Sequence, residues 1–189
     1  MALIEATGDE IYVTYLEEGK ELNKELIYTN LRTQLQSKPE FAWWGSPKDA
    51  KFGWKDWCKS ENYGNYDFNN PIYWKLKEGS KIFQIDWKEM ELDKSNTLLK
   101  YIKFRNWREE DLKDMPIEAK INILEHNVSD NDPIIDFVGM LNDEIVAVEL
   151  LDSCIGHTFI NNLEISFNSW DCESIVVVNS NCIVWKEGG

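Results

Sequence analysis

The sequence predicts an α+β domain, a mixed or antiparallel sheet with flanking helices, and three observations predict it. Runs of alternating apolar and polar residues recur towards both ends of the chain, and helix-period segments lie between them. The 189 residues carry a formal charge of −14, yet 43% are hydrophobic and 13% aromatic, which supplies a core and excludes a disordered acidic tail. The length fits one domain over 1–189, with an N-terminal strand extension at 1–25 and a helical insertion at about 87–130.

Glu10 to Leu16 reads as a strand, with Ile11, Val13 and Tyr15 alternating against Tyr12 and Thr14. Leu26–Thr29 is a second short strand and Phe41–Trp44 a third, broken by Gly45. Ser46-Pro47-Lys48-Asp49 has the composition of a helix start: Ser46 caps, Pro47 suits the first helical position, and Asp49 completes a capping box. The helix expected over roughly 47–60 gathers Ala50, Trp54, Trp57 and Cys58 on an apolar face, read as core-packing. Lys48, Lys51, Lys55 and Lys59 form a second, solvated stripe.

Ile72–Leu76 and Lys81–Asp86 read as strands, and Lys77-Glu78-Gly79-Ser80 between them has hairpin-turn composition. Residues 95–104 and 117–126 are helix candidates, the first through Leu98, Leu99 and Ile102, the second through Ile117, Ile121 and Leu124. Asn131-Asp132-Pro133 marks a turn that opens a short helix through Phe137. Ile145–Leu151, Leu163–Phe167, Ser174–Val178 and Cys182–Trp185 supply the remaining strands, the last two joined as a hairpin by Asn179-Ser180-Asn181.

The charge is uneven. From Asp114 to Trp185, Lys120 is the only basic residue against 13 acids. Such a block repels phosphates and attracts basic partners over a Debye length of roughly 10 Å, so direct nucleic-acid binding is not expected. Met1-Ala2-Leu3-Ile4-Glu5 lacks the basic and apolar regions of a secretory signal, and no apolar run approaches a membrane span; a cytoplasmic setting is expected. Cys58, Cys154, Cys172 and Cys182 form no C-x-x-C pair, and His126 and His157 are not spaced as ligands, so neither a metal site nor a disulfide framework is expected.

The standard phosphate-loop, dinucleotide-fingerprint, serine-elbow and zinc-helix motifs are absent. What remains is an order of elements: a short strand ending Ile27-Tyr28-Thr29-Asn30, an aromatic strand leading into Trp44-Gly45-Ser46-Pro47, and the strand Ile72–Leu76. An acidic entrance, Asp171-Cys172-Glu173, then precedes Ser174-Ile175-Val176-Val177-Val178-Asn179. Over roughly 26–185 this order resembles compact ADP-ribosyltransferase-like domains of the bacterial and phage effector type. The resemblance implies NAD as cofactor, contacts to it from Tyr28, Thr29, Asn30, Trp44, Ser46 and Tyr73, and Glu173 as catalytic carboxylate with Asp171 second. Thr29 departs from the family, which places Arg or His there; Asn30 or Arg32 would supply the displaced donor. A carboxylate suits this chemistry because cleavage between nicotinamide and ribose builds positive charge on the sugar, which an adjacent anion stabilises. The bland alternative for both acids is a solvent-facing role at a strand entrance, and for Ser46 a helix cap.

Three function classes follow. The first is an NAD-dependent mono-ADP-ribosyltransferase modifying a macromolecular, protein target. The second is a non-catalytic acidic inhibitor that masks the basic, nucleic-acid-binding surface of a partner, motivated by the Asp114–Trp185 block. The third is an aromatic-lined module for a small ligand, because 11 of the 24 aromatic residues fall within 41–74. In it, Tyr63, Tyr66 and Phe68 lie on a loop that either closes over a ligand or packs upon its own rings.

Overall fold

In the computed structural model, which describes residues 2–24, 42–86, 97–104, 115–126, 133–151, 159–160, 163–164 and 172–186, the alternating runs become short strands. In chain order these are β1 (Ala2–Glu5), β2 (Tyr12–Thr14), β3 (Trp43–Pro47), β4 (Ile72–Leu76) and β5 (Lys81–Ile85). Then come β6 (Ile102–Phe104), β7 (Pro133–Ile135), β8 (Ile145–Leu150), β9 (Phe159–Ile160), β10 (Leu163–Glu164), β11 (Ser174–Val177) and β12 (Ile183–Trp185). The helices are α1 (Trp54–Glu61), α2 (Ile117–His126) and α3 (Phe137–Asn142), with a 3₁₀ turn at Thr97–Tyr101. Eight strands pair in the order β1-β5-β8-β11-β3-β2-β4-β12, all neighbours antiparallel except β5 and β8. The architecture is α+β, as the sequence predicts.

The connection between β4 and β5 forces the sheet to curl. Four residues, 77–80, join two strands that stand seventh and second in the order. Five strand spacings laid flat cover about 24 Å, whereas the chain from Leu76 to Lys81 reaches roughly 17 Å at most. A rolled sheet removes the conflict, and its inner face buries one core: Ile82, Ala147, Ile175 and Val177 meet Tyr12, Trp74, Leu76 and Ile183 from the far strands. On the outer face, Phe83, Ile85, Val148, Leu150, Val176 and Val178 pack against Leu99, Tyr101, Phe137 and Met140, so α3 and the 97–101 turn cover half of that face.

Several local readings are corrected. Lys77–Ser80 does turn, with Gly79 at φ 76° and Ser80 N–H on the Lys77 carbonyl. However, β4 and β5 do not pair: β4 lies between β2 and β12, and β5 between β1 and β8. Nor do β11 and β12 form a hairpin: β11 lies between β8 and β3, and β12 lies beside β4. The helix expected at 47–60 begins at Trp54, since Gly45 and Ser46 continue β3 opposite Ile175 and Val13. Ladder pairing on both sides overrides the cap-like composition there. The helix expected over 95–104 is a 3₁₀ turn followed by β6, which pairs with β7. The short helix expected through Phe137 starts at that residue, after β7, because Asp136 caps it by accepting the Gly139 N–H at 2.9 Å. The second strand reading, Leu26–Thr29, lies outside the described residues, as does most of Leu163–Phe167.

Candidate functional site

The other half of the outer sheet face is covered differently. Along one line across the strands the outward side chains run from Leu150 to Ser174, then through Ser46 to Val13 and Tyr73. Instead of aliphatic packing, this end carries α1 and the segment 62–68, which arch over a cavity of about 320 Å³. Val13, Tyr15, Trp44, Cys172 and Ser174 line it from the sheet side, and Trp54, Tyr63 and Tyr66 from the arch.

The arch is held by bonds reaching back to the sheet. Ser46 is buried in β3, and its Oγ accepts the N–H of Trp54, the first residue of α1, at 2.9 Å. It does cap the helix, but from eight residues upstream and from within a strand. The capping acid is Asp56, whose carboxylate accepts the Gly53 N–H at 3.1 Å, and not Asp49. Glu173 secures the turn before α1: its Oε1 accepts the Lys51 N–H at 2.9 Å, while its own N–H donates to the Phe52 carbonyl at 3.0 Å. Beyond α1, Asn62 adopts a left-handed conformation that stops the helix. The 62–68 segment is then stitched to 16–18, with Glu18 N–H on the Asn65 carbonyl and Asp67 N–H on the Leu16 carbonyl. Asn65 Nδ2 adds a 2.7 Å bond to the Glu18 carboxylate.

Rings make the walls. Trp54 stacks on Trp57 at 4.9 Å and meets Tyr66 edge-on at 5.6 Å, and Tyr15 meets Phe68 edge-on at 5.2 Å. So Trp54, read from sequence as core, walls a cavity with Trp57 stacked against it, and the loop rings pack on one another while Tyr63 and Tyr66 also line it. Burial raises the Tyr15 and Tyr66 phenols, which stay neutral at neutral pH. Gly45 permits the close approach underneath: a Cβ there would lie 2.7 Å from Trp74 Cζ2 and 2.9 Å from the Val13 carbonyl oxygen. On the opposite face of the sheet, Glu149 of β8 is buried with Gln84 Nε2 of β5 donating to it at 2.8 Å, and burial raises its carboxyl above the ordinary range.

Of the residues expected to contact a cofactor, Trp44 lines the cavity and Ser46 anchors its arch. Tyr73 lies on the same sheet face beyond Val13, with the Lys48 ammonium 5.8 Å from its ring. Glu173 sits between two lining residues, Cys172 and Ser174, but is an anchor of the 48–53 turn and not a wall. The four do not converge on one cleft. Tyr28, Thr29, Asn30 and Asp171 lie outside the described residues. Val13, Tyr15, Cys172 and Ser174 were missed as site residues, and only a correct strand order would have placed them together.

No protein-family model, curated protein or solved structure matches this chain. Among the described residues no group of three or more His, Cys, Asp or Glu is placed to hold a metal ion, and no helix is long and apolar enough to cross a membrane. Cys58, Cys172 and Cys182 are in no disulfide, and burial pushes Cys58 and Cys182 up to about 11, so both are inert at neutral pH. The acidic block is partly answered by lysines from outside it: Asp143 pairs with Lys100 at 2.6 Å, Glu144 with Lys81 at 2.7 Å, and Asp136 with Lys103 at 3.0 Å.

Proposed function

We propose that the chain is a small-ligand-binding domain that takes a flat heteroaromatic ring into the aromatic cavity, with NAD as the ligand. The observation that carries the reading is a preformed cavity walled by Trp44, Trp54, Tyr15, Tyr63 and Tyr66. Its volume lies at the low end for small-molecule sites, the size for one ring and its attachment and too small for a whole dinucleotide. One ring of NAD therefore enters and the remainder lies along the mouth. Stacking on aromatic faces is worth about 1–3 kcal/mol per ring.

ADP-ribosyl transfer is the reaction this ligand brings with it from the sequence resemblance, and Glu173 is the carboxylate proposed to steady positive charge on the ribose. Glu173 is the chain neighbour of the lining residues Cys172 and Ser174, which supports the reading, and one of its carboxylate oxygens accepts the Lys51 N–H. Calorimetric titration with NAD tests binding. Trp54→Ala should weaken it at least about tenfold, and unchanged affinity would remove the cavity as the site. Labelled NAD with a cell extract tests transfer: Glu173→Gln should abolish labelling while NAD still binds. Labelling at the wild-type level would take Glu173 out of the mechanism.

A further inference from the structure

Resting on the reading of the cavity as a ring-binding site, we infer that Lys55 and Lys59 form an anion-binding rim that selects ligands carrying a phosphate on the stacked ring's sugar. The two lysines stand one turn apart on α1, so their side chains leave the helix on the same face. The Lys55 ammonium lies 5.8 Å from the centre of the Tyr15 ring, and that of Lys59 lies 5.9 Å from the Phe68 ring. Tyr15 lines the cavity and meets Phe68 edge-on, so both charges stand over one pair of touching rings that begins at the cavity wall.

Ring faces also partner Lys24 on Trp185 and Lys48 on Tyr73, but of these rings only Tyr15 lines the cavity. Lys81, Lys100 and Lys103 each hold a carboxylate within 3.0 Å, while among the described residues neither Lys55 nor Lys59 forms an ion pair. On the same helix, the Asp56 carboxylate accepts the Gly53 N–H. In a chain of net charge −14, two cations that find only ring faces as partners, beside an open aromatic cavity, suit an anion that arrives with a ring. A phosphate bridging the two ammoniums would exchange weak ring contacts for charge-assisted hydrogen bonds.

Paired ligands that differ by one phosphate provide the test: adenosine against AMP, and nicotinamide riboside against its mononucleotide, titrated calorimetrically at low salt. The phosphorylated member of a pair should bind about tenfold tighter, and the preference should shrink as salt rises. In the Lys55→Gln/Lys59→Gln double variant the phosphorylated ligand should fall to the affinity of its nucleoside, while the nucleoside is unaffected. Equal binding of both members by the wild-type chain overturns the rim and leaves the ring site standing. A preference that survives the double variant overturns the assignment to these lysines. Binding of neither member removes the ring site, and the rim with it.

Discussion

One face of the sheet is covered in two ways, and the contrast separates a filled core from an open cavity. At the β5–β8 end, α3 and the 97–101 turn drive Phe137, Met140 and Leu99 down between the strand side chains, and all three are fully buried. At the β3–β2 end, α1 and the 62–68 segment rest on rings that meet edge to face, and Tyr63 is half exposed. Aliphatic chains interdigitate and fill space, whereas large flat rings propped against one another leave a gap. The cavity is thus a product of residue type as much as of backbone path.

The largest expected effect belongs to the filled end. Phe137→Ala should cost about 3–5 kcal/mol, read as a lowered urea midpoint. A loss equal to that of Trp54→Ala would erase the distinction between the two ends, since Trp54 should affect ligand affinity more than stability. Gly45→Ala comes next, at about 1–3 kcal/mol, because its methyl would meet the Trp74 ring and the Val13 carbonyl and press apart the strands beneath the cavity. Ser46→Ala should cost about 1 kcal/mol and also weaken ligand binding, since the start of α1 loses its acceptor on the sheet. A stability loss with unchanged affinity would show that the arch stands without this anchor.

The smallest effect is a slope, and it concerns the inner face. Glu149 is raised by burial from an ordinary value of 4.5, so the folded state holds its proton longer than the unfolded chain. Stability from this group is full below that value and declines as pH climbs through the raised folded one. Glu149→Gln should flatten the decline above pH 4.5 in denaturation curves taken across pH. A slope identical to the wild type's would mean that the inner face accommodates the anion at no cost.

Strand identities were legible in the sequence wherever alternation was strong: Ile72–Leu76, Ile145–Leu150 and Ser174–Val177 stand where their patterns place them. Strand partners were not, because a turn such as Lys77–Ser80 looks the same whether its strands pair or part. The site suffered most from this. Trp44 and the density of rings in 41–74 could be seen, but Ser46 looked like a local cap when its acceptor role spans a strand and a loop. Glu173 looked like a free acid when it is bonded to the Lys51 N–H. Long-range hydrogen bonds leave no periodic trace in a sequence.

The pairing of β3 with β11 also has a consequence in time. Trp44 and its cross-strand partner Val176 bring together parts of the chain some 130 residues apart, and Ser174 enters the cavity from the same strand. Contacts of such sequence separation form late and slowly. During synthesis the aromatic arch of 54–68 leaves the ribosome well before the strand that completes its floor. Until β11 arrives the rings rest on β2, β3 and β4 alone, without the Cys172 and Ser174 side of the floor, and they are a natural target for a chaperone. A product truncated before Ser174 would expose those rings and hold no ligand.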